Sequence, residues 1–290
     1  MDTNGVLYHY TSAEGFLGIF SSGTLWASDA AYLNDPSELK YAREALPKAV
    51  GELADPLVDR WWASSPLNPE RQRDTALAWQ DEIEAGTAYV LSFGYSDEAL
   101  GMWRSYAGRH GFCIGFDRET LMLALNGQPQ EFTPPPWCDC TEDEHQTISN
   151  LSQNWELKRV GYGPDAVAEV AKRLAEEQQR RGELGGRSPW SDLLALVSVK
   201  HDAFEEEQEA RIVMTAGGCL TPSPEVRVSP SFGLIPYQVA HFPPCAIKSV
   251  TYAPGADPVL ARQALSSLFA QGNRGSRPIE IQGTGIPYVW

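Results

Sequence analysis

The sequence predicts an α+β fold, and three observations point there. Short runs rich in β-branched and aromatic residues mix with helical spacings, but without the regular strand–helix–strand alternation of a doubly wound sheet. There is no internal repeat. No Pro-, Gly- or Ser-rich linker cleanly divides the chain, so residues 1–290 are expected to form a single domain.

The elements follow in order. Residues 6–10 (VLYHY) read as a strand. Thr11, Ser12, Ala13 and Glu14 have the form of a capping box. Phe16, Leu17, Ile19 and Phe20 follow at helical spacing, up to Gly23 where a C-terminal cap belongs. Residues 24–28 read as a second strand. Asp35, Pro36, Ser37 and Glu38 open the next helix, with Asp35 as cap and Glu38 reaching back. Residues 52–85, which include Trp61, Trp62 and Trp79, read as mostly helical. Residues 88–93 and 111–116 are strands, with a short helix over 96–107 between them. Residues 127–147 hold Pro129 and Pro134 to Pro136 and read as a loop. A charged helix over 164–183 leads to a loop at Gly185 and Gly186, then a helix over about 189–199 and a strand over 209–214. The proline-rich stretch 221–230 is expected to be a loop. A strand over 246–252, a helix over 257–271 and edge strands in IEIQ and IPYVW complete the chain.

Composition narrows the class. At 42% apolar and 10% aromatic residues the chain can bury an ordinary core. It holds no run of ~18 apolar residues, so no membrane span is expected. Its first residues, MDTNGVLYHYT, lack a basic n-region and an apolar h-region, so the protein is expected to be cytoplasmic. The 5 cysteines are odd in number and scattered (Cys113, Cys138, Cys140, Cys219, Cys245), which fits a reducing compartment. A net charge of −15 argues against general, phosphate-driven nucleic-acid binding, though not against a local basic pocket.

Phosphate-binding, dinucleotide, nucleophile-elbow and zinc-protease motifs are absent. Cys138, Cys140 and His145 are spaced too tightly for a structural zinc site, and no fourth ligand stands nearby. The remaining candidates lie near positions 9, 32–38, 92–106 and 200–211, and are expected to line one polar cleft. His9 sits mid-strand between Tyr8 and Tyr10, where an imidazole either bonds the backbone or faces a ligand. Thr11 reads first as a cap. Asn34, after Tyr32, has no capping role, whereas Asp35 and Glu38 do. Trp103, Arg104 and Tyr106 are either packing residues or an aromatic wall with a guanidinium for a phosphate-bearing ligand. Glu207, Glu209 and Arg211 fall on one face if a strand runs through them, whereas an acidic run is ordinarily a solvated surface. Lys200 and His201 stand just upstream.

The blocks LYHYTS (7–12), LWASDAAYLNDPSEL (25–39), LSFGYSDEALGMWRSYAGRHGFCIGFD (91–117), KHDAFEEEQEARIV (200–213), GLIPY (233–237) and SVTYAPG (249–255) resemble a bacterial family of unknown function, domain of unknown function twenty-nine seventy-one. Ala210 departs from it, since the family usually has tryptophan there. The opening LYHYT, helix and strand also resemble ADP-ribosyltransferase-type enzymes. That likeness implies a split β-sheet core with peripheral helices, a mainly helical insertion at about 40–87 and a helical and loop insertion at about 127–199. It implies NAD as substrate, with cleavage of the nicotinamide–ribose bond and transfer of ADP-ribose to an unidentified protein, nucleic-acid or small-molecule acceptor, in a toxin or anti-phage role.

By that likeness Glu209 holds the ribose 2′-hydroxyl and Glu207 orients or deprotonates the acceptor. His9, with Tyr10 and Thr11 beside it, meets the adenosine-side ribose. Ser92 stands on the following strand. Tyr32 or Trp103 stacks on nicotinamide. Arg104 and Lys200 meet the pyrophosphate, with Asn34, Tyr106 and Arg211 completing the cofactor-binding set. Side chains of His9, Ser92 and Glu209 are expected to face one cavity. Two other classes remain open: a non-catalytic nucleotide- or peptide-binding module, and a magnesium-dependent nuclease-like effector using Asp35, Glu38 and Glu207.

Overall fold

The computed structural model describes residues 5–33, 36–53, 87–127, 155–182, 189–216, 223–229, 231–271 and 279–287. Its first element is β1 (Val6–Thr11), in which Leu7 turns into the core and Tyr10 to the opposite face. The turn into α1 (Ala13–Ser22) is capped by Ser12, whose hydroxyl accepts the Gly15 amide at 3.1 Å. Thr11 is thus the last strand residue and not the cap. Gly23 closes α1 in the left-handed region at φ 68, as expected. α2 (Pro36–Gly51) begins with its proline at the first helical position.

One mixed sheet organises the fold. In spatial order it runs β12 (Glu280–Gly283), β11 (Ile247–Tyr252), β4 (Phe112–Asp117), β1, β3 (Thr87–Gly94), β2 (Thr24–Asp29), β10 (Gly233–His241) and β9 (Glu225–Ser229). Two more strands, β8 (Glu209–Ala216) and β5 (Trp155–Arg159), join through β3. β3 is the shared strand. β8 pairs with it along its whole length, from Thr87↔Ala216 to Gly94↔Glu209. On its other edge β2 pairs at Tyr89 and Val90, while β1 pairs only at Gly94. β1 and β2 therefore diverge, and the sheet forks beside Leu91–Phe93.

The two faces are covered differently. Leu7, Leu91, Phe93, Ile114, Phe116, Ile212 and Met214 meet Phe16 and Phe20 of α1, Leu121 of α3 (Arg118–Gly127) and Leu265 of α6 (Pro258–Gln271) in the main core. Each such side chain contributes about 1.5–3 kcal/mol by leaving water. On the other face, α4 (Gly163–Gly182) packs on α2 through Leu46, Val167, Val170 and Leu174, and α5 (Pro189–Leu196) closes over Val90 and Val213 near Val197. A parallel pair of short strands, β6 (Gly161–Tyr162) and β7 (Val199–Lys200), lies between this layer and β8.

Several expectations are revised. The stretch 221–230, expected as a loop, contains β9, and β10 was not foreseen. The segment expected as a helix over 96–107 is helical only from Leu100, and its turn Trp103–Ala107 is π-helical. Glu280–Gly283 is an edge strand as expected, parallel to β11, whereas Ile286 and Pro287 form none. Among the described residues no helix is long and apolar enough to cross a membrane. Asn34, Asp35, the tryptophans Trp61, Trp62 and Trp79, the loop from residue 128 with Cys138, Cys140 and His145, and Cys219 lie outside the described residues, as does the Glu38 side chain.

Gly111 marks the tightest backbone approach in the β1–β4 region. A Cβ there would stand 2.1 Å from the Ala107 carbonyl oxygen and 2.5 Å from that of Thr11. Gly111→Ala should therefore cost about 2–3 kcal/mol. Gly101→Ala meets nothing within 4 Å and should change stability by less than about 1 kcal/mol. Urea unfolding of the two variants checks this, and equal midpoints would contradict it.

Candidate functional site

The best-defined polar cluster is built at the start of β8. Ala210, Ile212 and Met214 point into the main core, so alternation sends Glu209, Arg211 and Val213 to the opposite face. There Arg211 grips Glu209 with two parallel bonds, Nε to Oε1 at 2.8 Å and Nη2 to Oε2 at 2.9 Å. Its Nη1 donates to the Val197 carbonyl at 3.0 Å. Lys200, on β7, brings its ammonium to 2.7 Å from Glu209 Oε2 and 2.8 Å from Glu207 Oε2. The Lys200 and Glu209 side chains are 1% and 3% exposed, whereas that of Glu207 is 22% exposed. The cluster is thus sealed at Glu209 and open at Glu207.

The backbone explains how two carboxylates reach one ammonium. Glu207 does not lie on β8, as a continuous strand would have required. It ends the 3-10 turn Asp202–Glu207, and Gln208 then adopts φ 42 and ψ 52. A non-glycine residue in this region costs on the order of 1 kcal/mol, and such strain concentrates at functional sites. The kink turns Glu207 back beside Glu209. Tyr162, on β6, completes the arrangement: its phenol oxygen accepts the Glu209 amide at 2.7 Å. Lone residues 47 positions apart in sequence give no local signal of such a contact, so sequence reasoning missed Tyr162.

Electrostatics hold Glu209 ionised. Burial alone would raise the Glu209 pKa, but the charges of Arg211 and Lys200 outweigh it and hold it at about 2. Burial pushes Tyr162 up to about 12, against the Glu209 amide bond, which lowers it.

His9, Tyr10, Trp103 and Tyr32 do not gather here. His9 faces the main core with Leu7, its ring edge-on to Phe93 at 5.6 Å. Its Nδ1–H donates to the Ser92 carbonyl at 3.0 Å, in the gap left where β1 and β2 part. Burial lowers its pKa, which favours the neutral ring. The Ser92 side chain sits opposite Arg211 in the β3–β8 ladder, on the face away from His9. His9, Ser92 and Glu209 therefore do not face one cavity, because one imidazole and one carboxylate leave opposite faces of the sheet.

Tyr10 and Trp103 are packing residues. Tyr10 donates to the Ser96 carbonyl at 2.7 Å and accepts the Ala99 amide at 3.2 Å. Trp103 is fully buried edge-on to Tyr10, its indole donating to the Asp97 carbonyl at 2.8 Å, so it cannot stack on a ligand. Tyr106 packs partly against them, and Arg104 is exposed. Tyr32 follows the end of β2 and lies edge-on to Phe232 at 5.8 Å. It therefore stands near the start of β3, whereas Glu209 pairs with its end, roughly 17 Å away at ~3.4 Å per residue. Among the described residues no three His, Cys, Asp or Glu side chains are placed to hold a metal ion.

The sealed half of the cluster carries a stability signature. Glu209 is held below the 4.5 of an unpaired glutamate, so its contribution is present above about pH 4.5 and is lost as pH falls towards 2. Glu209→Gln should cost about 3–5 kcal/mol at neutral pH, because Lys200 and Arg211 lose their shared partner. It should also flatten the acid limb of the stability curve. Urea unfolding across that range checks both, and a variant as stable as wild type would contradict the assignment.

Comparison with known proteins adds one finding. Residues 102–212, less than half of the 290, match the family model described as "Protein of unknown function (DUF2971)". The matched stretch spans Trp103, Tyr162, Lys200, Glu207, Glu209 and Arg211, while the blocks at 7–12, 25–39, 233–237 and 249–255 lie outside it. No curated protein and no solved structure matches the chain. The likeness to ADP-ribosyltransferase-type enzymes gains no support from these comparisons. Over residues 102–212, then, this chain is similar to a protein family of unknown function.

Proposed function

We propose that the protein is an NAD-consuming enzyme of the ADP-ribosyltransferase type, in which Glu207 is the carboxylate that meets the substrate. One observation carries the reading. Two carboxylates of an E-x-E segment share the Lys200 ammonium across a left-handed kink, and one of them reaches solvent. The forked sheet along β3 agrees with a split-sheet core.

The roles follow from access. Glu209, saturated by Arg211 and Lys200, fixes the ammonium and the strand. Glu207 stands at the rim, and the Lys200 ammonium orients it at 2.8 Å. In the reaction the bond between ribose C1′ and the nicotinamide nitrogen breaks heterolytically, and its electron pair leaves with nicotinamide. The Glu207 carboxylate stabilises the positive charge that develops on the sugar. An acceptor then bonds to C1′ and gives its proton to Glu207 or to water. His9 serves the fork and Trp103 the core, so neither belongs to this set. Exposed Arg104 remains available to the pyrophosphate.

A second reading, a non-catalytic nucleotide- or peptide-binding module, is favoured by a specific feature: every Glu209 oxygen is already bonded to a cation within the protein. Incubation with NAD, followed by NMR, separates the two. An enzyme releases free nicotinamide and a binding module does not. Glu207→Gln should lower release by about 10²–10³-fold while destabilising the protein less than Glu209→Gln does, because Lys200 keeps its Glu209 partner. Undiminished release from that variant would remove Glu207 from the mechanism.

A further inference from the structure

We infer that Tyr162 is a substrate-contacting residue, its phenol O–H donating to a ribose hydroxyl oxygen of the NAD molecule held at Glu207. The inference rests on the NAD reading above and adds to it a residue that no sequence motif marks. Tyr162 pairs directly with Lys200 in the β6–β7 ladder, which fixes its backbone beside the cluster. Its oxygen accepts the Glu209 amide at 2.7 Å. A neutral phenol that accepts one bond still has its own proton to give. Among the described residues no acceptor takes that proton. The side chain is only partly buried, so the O–H can turn outward beside Glu207, the open side of the cluster.

The chemistry complements that of Glu207. A carboxylate can only accept from a sugar hydroxyl, whereas a phenol proton can donate to the oxygen of its neighbour. A ribose offers both on adjacent carbons. The pair Glu207 and Tyr162 therefore suits a vicinal diol, with the Glu209 amide bond holding the phenol still. Such a bond, made equally in the ground and transition states, acts on KM more than on kcat.

A purely structural tyrosine would hold the Glu209 amide without touching substrate, and Tyr162→Phe cannot separate the two roles because it removes both bonds. A fluorinated tyrosine at 162, whose phenol ionises far below the native one, does separate them. Its phenolate still accepts the Glu209 amide but no longer donates. The charged groups facing the phenol are Lys200 from β7, Glu207 from the 3-10 turn, and Glu209 and Arg211 from β8. All are common to both proteins, so a difference between their pH profiles reports the phenol. Nicotinamide release from NAD is measured for both between about pH 6 and 9. The fluorinated protein should show KM rising about tenfold with pH, the worth of one hydrogen bond, while kcat follows the wild type and thermal stability falls somewhat with pH as the partly buried phenolate forms. Wild-type turnover with the same KM profile in both proteins would overturn the Tyr162 assignment alone. Absence of nicotinamide release from the wild type would overturn the NAD reading and this inference with it.

Discussion

A buried ammonium shared by two carboxylates is the constraint on which the polar half of this structure depends. Lys200 lies out of water, where an unpaired charge would cost several kcal/mol. Glu209 and Glu207 answer that charge, and Arg211 grips Glu209 from the other side. Each oddity nearby serves the same end. Gln208 accepts a strained backbone so that Glu207 can turn back. Tyr162 takes the first amide of β8, so that the strand begins where Glu209 must stand.

The fork in the sheet is the second constraint, and it works on the opposite face. β3 gives one edge wholly to β8 and divides the other between β1 and β2. The Ser92 carbonyl left in the gap would be a buried acceptor without a partner, and the His9 imidazole fills that need at 3.0 Å. This explains a histidine in mid-strand without a ligand. It also separates His9 from the glutamates, since the two groups leave different faces of one strand set.

Much of the fold could be read from local chemistry. The α1 helix, its glycine cap, the proline start of α2 and the strands β3, β4, β8 and β11 all show in spacing and capping residues. β10 did not, because Pro236 interrupts its pattern. It is tolerated there because pairing with β2 begins only at Tyr237. Of the site, the acidic run and Arg211 were legible as residues but not as geometry. Alternation placed Glu209 and Arg211 together, and it failed for Glu207, because a left-handed glutamine leaves no mark in sequence. Tyr162 and the partnership of Lys200 with both glutamates arise from tertiary pairing, which local patterns do not encode. Trp103 was ambiguous for the same reason: an aromatic wall and a buried packing residue look alike until the Asp97 carbonyl is seen to hold the indole.

Lys200 and Glu209 form one electrostatic unit. A double-mutant cycle with Lys200→Met and Glu209→Gln tests it most directly, through unfolding free energies of the four proteins. The double variant should be more stable than the sum of the two losses implies, by more than about 1.5 kcal/mol, because removing both charges leaves neither stranded. Losses that simply add would contradict it.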